Sequence, residues 1–148
     1  MSTEAEITDT DRIRDNTMLS RPISNGMRQR LLISQLVTLC ALWVAQSVAI
    51  YLYARTENNA FFSPSHFLGG MWAALFGAWA YAYFGKPLSF VGYVLIALAF
   101  GIAWELYEVV VHLVSPDSLS YAVDTVTDLM FDALGGYCAA LLARKFTA

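Results

Sequence analysis

Seven titratable side chains in an otherwise apolar setting carry the chemistry this sequence offers: His66, Glu105, Glu108, His112, Asp124, Asp128 and Asp132. Glu105, Glu108 and His112 recur at i, i+3, i+7, which on a helix turning 100° per residue confines them to an arc of about 60°. Asp124, Asp128 and Asp132 recur at i, i+4, i+8 and share an arc of about 80°. Carboxylates joined by imidazole suit divalent Zn, Mn or Fe, while oxygen-only subsets suit Mg or Ca. His66, Glu105, Asp128 and Asp132 are therefore candidate metal ligands, His112 and Asp124 stand as further candidates, and Glu108 is the candidate general base for a metal-bound water. The same acids have two other uses. Protonated, they would hydrogen-bond helices together; protonated and deprotonated in turn, they would carry a proton or ion. No Ser-His-Asp, Cys-His or phosphate-cradling motif offers a rival chemistry.

The elements that must position these groups follow from composition. Of 148 residues 57% are hydrophobic and 14% charged, against roughly a quarter charged in soluble domains. Four apolar segments, at about residues 31–54, 63–84, 88–114 and 120–144, each approach the roughly 20 residues a helix needs to cross the hydrocarbon layer. Lipid offers the backbone no hydrogen bonds, so these are expected as helices. The fold expected is all-α: an integral membrane four-helix bundle over residues 31–148, preceded by a polar cytoplasmic tail at 1–30. That tail is too polar, and the next apolar run too long, for a cleaved signal peptide, so the first span is expected to stay as an anchor.

Punctuation agrees with this division. Ser63-Pro64 reads as a capping hydroxyl before a first-turn proline, Gly85-Lys86-Pro87 as a tight stop, and Ser115-Pro116-Asp117-Ser118 as the last loop. Tyr51, Tyr53, Tyr81, Tyr83 and Tyr121 near segment ends fit an interfacial aromatic belt. Cys40 and Cys138 lie in apolar runs and are expected as buried small residues, without disulfide or redox function.

Arg12, Arg14, Arg21, Arg28, Arg30, Lys86, Arg144 and Lys145 fall on one side of this topology and Arg55 alone on the other. The positive-inside rule then places both termini in the cytoplasm and the acidic stripes toward the outer face. The formal charge is −3, with 9 basic and 12 acidic residues, and no basic block of the kind that neutralises phosphates is present, which excludes nucleic-acid binding.

Counting turns inward from the last loop pairs His112 with Asp124, Glu108 with Asp128 and Glu105 with Asp132, the deepest pair roughly 12–15 Å from the outer end. Gly70, Ala73 and Gly77 share the face of His66 and permit close helix packing. Gly101 and Gly135, about one turn deeper than the acids, would let the helices close beneath them. A charged group at mid-membrane costs on the order of 2.5–3.5 kcal/mol, so five acids need protons, water or a cation.

The segments HFLGG at 66–70, WELYE at 104–108 and DTVTDLMFDALGG at 124–136 resemble the YjdF-type family of small uncharacterised bacterial membrane proteins. A looser resemblance, covering about residues 66–140, is to VanZ-like proteins, in which acidic residues on one helix precede a D-rich helix ending in a Gly step. This sequence has Asp132 where Asn is commoner in that group. The resemblance implies a multi-pass protein of the bacterial inner membrane and no particular reaction. VanZ-like proteins are associated with the cell envelope and glycopeptide resistance, and the resistance role is not carried over.

Three functions are compatible with these features: a metal-dependent membrane hydrolase acting on an envelope lipid or other amphipathic substrate, a proton- or ion-coupled transporter subunit, and a non-catalytic membrane adaptor. The lipid bilayer is the common partner, and a homo-oligomer would supply a polar path that one copy lacks.

Overall fold

A computed structural model describes residues 24–84, 87–111, 113 and 119–147. They form four helices: α1 (Asn25–Thr56), α2 (Ser63–Ala82), α3 (Phe90–Val110) and α4 (Leu119–Thr147), with a 3-10 turn at Asn59–Phe62 before α2. No strand occurs among the described residues. The protein is an all-α membrane bundle. Three helices are long and apolar enough to cross a membrane, and the apolar window of α1 is only 17% buried inside the bundle. Large side chains such as Leu36, Val37, Trp43, Val91, Leu106 and Met130 point outward, a surface suited to lipid. The fourth helix, α2, touches α1, α3 and α4. Surrounded by protein, it needs small residues more than a greasy perimeter.

The up-and-down arrangement follows from which ends meet. Met27 and Arg144, near the first and last helical residues, line one cavity with Leu88 and Phe90, and Arg28 Nη2 donates to the Ala82 carbonyl at 3.0 Å. Both helical termini therefore lie at one end. His66, Glu105 and Asp128 meet at the other. Between the ends the core is mostly alanine: Ala74, Ala78, Ala97, Ala139, Ala140 and Ala143, with Leu31, Leu75 and Tyr93. Such residues bring helix backbones close, which is how association is driven where lipid removes the hydrophobic incentive.

Several local expectations are revised. The first helix starts at Asn25, with the Ser24 hydroxyl accepting from the Met27 N–H at 3.2 Å. Gly26 thus sits in a first turn, whose N–H groups have no intrahelical partners to lose. Ser63 is not a side-chain cap: the 3-10 turn runs into α2 and the Ser63 N–H bonds the Ala60 carbonyl. Cys40 is exposed and Cys138 half-buried, because the apolar surroundings of Cys40 are bilayer and not core. The third helix ends at Val110, four residues before the expected 114. The stops expected at Gly85-Lys86 and Ser115–Ser118 lie outside the described residues.

Candidate metal centre

His66 stands in the first turn of α2, placed there by Pro64, whose fixed φ suits a helix start. Its ring lies between two aspartates of α4: Nε2 is 3.5 Å from Asp128 Oδ2 and Nδ1 is 3.4 Å from Asp132 Oδ2. Asp128 and Asp132 are one helical turn apart, so a single helix presents a carboxylate to each ring nitrogen. From α3, Glu105 joins His66 and Asp128. Ligand atoms of His66, Glu105 and Asp128 all lie within 4.8 Å of one another. Glu105 and Asp128 are each 7% exposed and Asp132 4%, so the three carboxylates are buried.

Two of the carboxylates have further contacts. Thr125 Oγ1 donates to Glu105 Oε2 at 2.7 Å. The Asp132 carboxylate packs against Gly101, where an added Cβ would collide with it. Gly70 faces the backbone of Asp132, and Gly135 faces the Phe67 carbonyl and the Met71 N–H. These two glycines clamp α2 to α4 at backbone contact and bring His66 within reach of both aspartates. Gly101 therefore houses a carboxylate and does not close the helices beneath it, as was expected; that closure falls to Gly135, Gly136 and the alanines below.

The other acids form a rim. Asp124 Oδ2 accepts from Asn59 Nδ2 at 3.0 Å, and Glu108 Oε1 accepts from Trp104 Nε1 at 2.8 Å. Glu108 is half-buried and within electrostatic reach of Glu105, His66 and Asp124. Neither belongs to the three-residue convergence. His112 lies outside the described residues. Arg55, the one basic residue expected on the side of the acids, stacks 4.1 Å over the Tyr51 ring of its own helix.

The register between α3 and α4 differs from the expected one by about a turn. Glu105 is level with Thr125 and Asp128, and Gly101 with Leu129 and Asp132, whereas counting from a helix end at 114 pairs Glu105 with Asp132. Ending α3 at Val110 removes that turn. Thr125, Asn59 and Trp104 carry no site reading in the sequence, and Gly101 carries only a packing one. Thr125 carried the best signal, a hydroxyl three residues before Asp128 and so on the same helical face.

An all-α bundle with lipid-facing apolar surfaces and a buried carboxylate-histidine cluster at one end defines the class as integral membrane protein. The chain belongs to the family described as a predicted membrane protein, DUF2238, whose model matches residues 22–148. No curated protein and no solved structure matches it.

Proposed function

We propose that this chain is a metalloprotein of the bacterial inner membrane in which His66 Nε2, Glu105 and Asp128 hold one divalent ion and Asp132 orients the imidazole from behind. The observation that carries it is the convergence of one imidazole nitrogen and two carboxylates, from three different helices, within 4.8 Å. A tetrahedral ion with bonds of about 2.1 Å sets its ligands about 3.4 Å apart. The His66–Asp128 separation of 3.5 Å is close to that value, and Glu105 lies within 4.8 Å of both.

Three protein ligands with an open fourth position is the pattern of catalytic zinc sites. The imidazole favours Zn, Mn or Fe over Mg, which prefers an all-oxygen shell with several waters. Such an ion lowers the pKa of bound water and polarises a carbonyl or phosphoryl oxygen. Glu108, beside the cluster on the rim and held by Trp104, is placed to take the proton of that water. The site lies at the end opposite Arg28, Arg30, Arg144 and Lys145, which under the positive-inside rule would be the outer face. A hydrolase working on an envelope lipid or similar amphipathic molecule fits this placement.

The test is elemental analysis of full-length protein purified in mild detergent, beside the Glu105→Gln/Asp128→Asn double variant. One equivalent of a transition metal in the wild type, absent from the double variant, is the expected result. Wild-type protein of intact helical content that stays metal-free after incubation with Zn, Mn and Fe would overturn the proposal.

A further inference from the structure

At the end opposite the metal centre, a cavity of about 240 Å³ opens between the start of α1 and the facing ends of α3 and α4. Met27, Leu88, Phe90, Tyr93, Ala140 and Ala143 give it an apolar lining, and Arg144 stands at its rim. The Arg144 guanidinium lies 5.0 Å over the Phe90 ring, which sets the charge at the boundary between lining and surroundings. Arg28, Arg30 and Lys145 belong to the same end, and every described acid lies at the other. Arg28 brings its own donor to this end: its Nε is buried with no hydrogen-bond partner.

We infer that this cavity is a binding site for one anionic phospholipid, with a stretch of acyl chain among Met27, Leu88 and Phe90 and the phosphate on Arg144. Charge complementarity selects the headgroup: Arg28, Arg30, Arg144 and Lys145 attract a phosphodiester, and in a membrane each such cation near the surface contributes about 1 kcal/mol toward an anionic lipid. The lining selects a lipid over a free anion, since an inorganic phosphate gains nothing from six apolar walls. Size points the same way. The cavity is below the roughly 300–1,000 Å³ of sites that enclose a whole small molecule, and an acyl chain needs to insert only part of its length. The site is independent of the metal centre at the other end of the bundle.

Native mass spectrometry of the full chain, with phosphatidylglycerol and phosphatidylcholine of identical acyl chains added in equal amounts, tests this. Wild-type protein should retain phosphatidylglycerol in preference. Arg144→Gln should lower that retention about fivefold, the factor corresponding to about 1 kcal/mol, and leave phosphatidylcholine unchanged. Arg30→Gln, at the same end but not on the cavity, should lower it less. Met27→Trp, filling the cavity from a half-buried position, should lower retention with all cations present, and inorganic phosphate should not compete. Equal retention of the two lipids, equal losses in Arg144→Gln and Arg30→Gln, undiminished retention in Met27→Trp, or full competition by phosphate would each overturn the site.

Discussion

Replacing Asp132 by Asn tests the division of labour around His66. Asp132 is 4% exposed, and its Oδ2 lies 3.4 Å from Nδ1, whereas Asp128 Oδ2 lies 3.5 Å from Nε2. A carboxylate there accepts the Nδ1 proton, which fixes the tautomer and leaves the Nε2 lone pair for a metal. Asparagine has the same shape and an acceptor oxygen but no charge. Loss of such an outer partner costs 10- to 100-fold in metal affinity, about 1.4–2.8 kcal/mol. Glu105→Gln or Asp128→Asn removes a ligand and should fall well beyond that range. Gly101→Ala provides an independent approach: it alters no polar group, yet its Cβ would meet the Asp132 carboxylate and push it from its place, so a loss of similar size is expected.

The assay is competition against a chromophoric chelator in detergent, with helical circular dichroism as the control for folding. If Asp132→Asn abolishes binding as completely as Glu105→Gln, Asp132 is itself a ligand and the assignment of the two ring nitrogens is wrong. If Asp132→Asn binds at wild-type affinity, the Nδ1 contact orients nothing.

Glu108→Gln should keep full metal stoichiometry and lose hydrolysis of an amphipathic ester or phosphoester substrate by 10²–10⁴-fold, the usual contribution of a general base; loss of the metal itself would make Glu108 a ligand. Metal affinity should fall as the pH is lowered, about tenfold per pH unit for each proton the metal must displace, because neutral Nε2 and ionised carboxylates are the binding forms. Equilibrium dialysis across the acid range measures that slope, and a flat profile would exclude these ligands.

The two acidic stripes were legible because helix periodicity fixes which residues share a face, and the lipid-facing helices because an unbroken apolar run of that length has few other uses. The register was not legible. Val109, Val110 and Val111 continue the hydropathy of α3 without a proline or glycine, so the run reads as helix up to Ser115-Pro116. β-branched residues are poorer helix formers than Leu or Ala, and α3 stops within that valine run, at Val110. The choice of which carboxylate faces which nitrogen of His66 depends on that register and on the missing side chain at Gly101. Neither shows in the spacing of the acids. Asn59 and Trp104 were passed over for a related reason: each has an ordinary role, in a turn and in an aromatic belt, and only their contacts reveal the rim.

The closed lower half of the bundle bears on the competing functions. Beneath the acids the core is alanine with Leu31, Leu75 and Tyr93. The buried polar groups Gln35 and Thr38 are tied to backbone carbonyls, of Leu75 at 3.5 Å and Ser34 at 2.8 Å. A proton or ion entering at His66 meets no further chain of polar side chains within the described residues of one copy. This favours a site that binds over a path that conducts.

The adaptor reading, in which the acids specify helix pairing, makes a different demand and is separated from the metal centre by one comparison. Here the α2–α4 contact is made by glycine: a Cβ on Gly135 would collide with the Phe67 carbonyl and the Met71 N–H, backbone atoms that move only if a whole helix does. Overpacking typically costs 1–3 kcal/mol, and with backbone as the obstacle Gly135→Ala should reach the upper part of that range. Glu105→Gln removes one of three crowded buried carboxylates and keeps a group that accepts from Thr125. With a chelator present it should leave thermal unfolding in detergent unchanged or raise its midpoint, since like charges are relieved and no metal is lost. If metal-free Glu105→Gln instead unfolds as early as Gly135→Ala, the acids hold the helices together and the metal centre loses its main support. If the two variants separate as expected, pairing belongs to the glycines and the carboxylates are retained for what they bind.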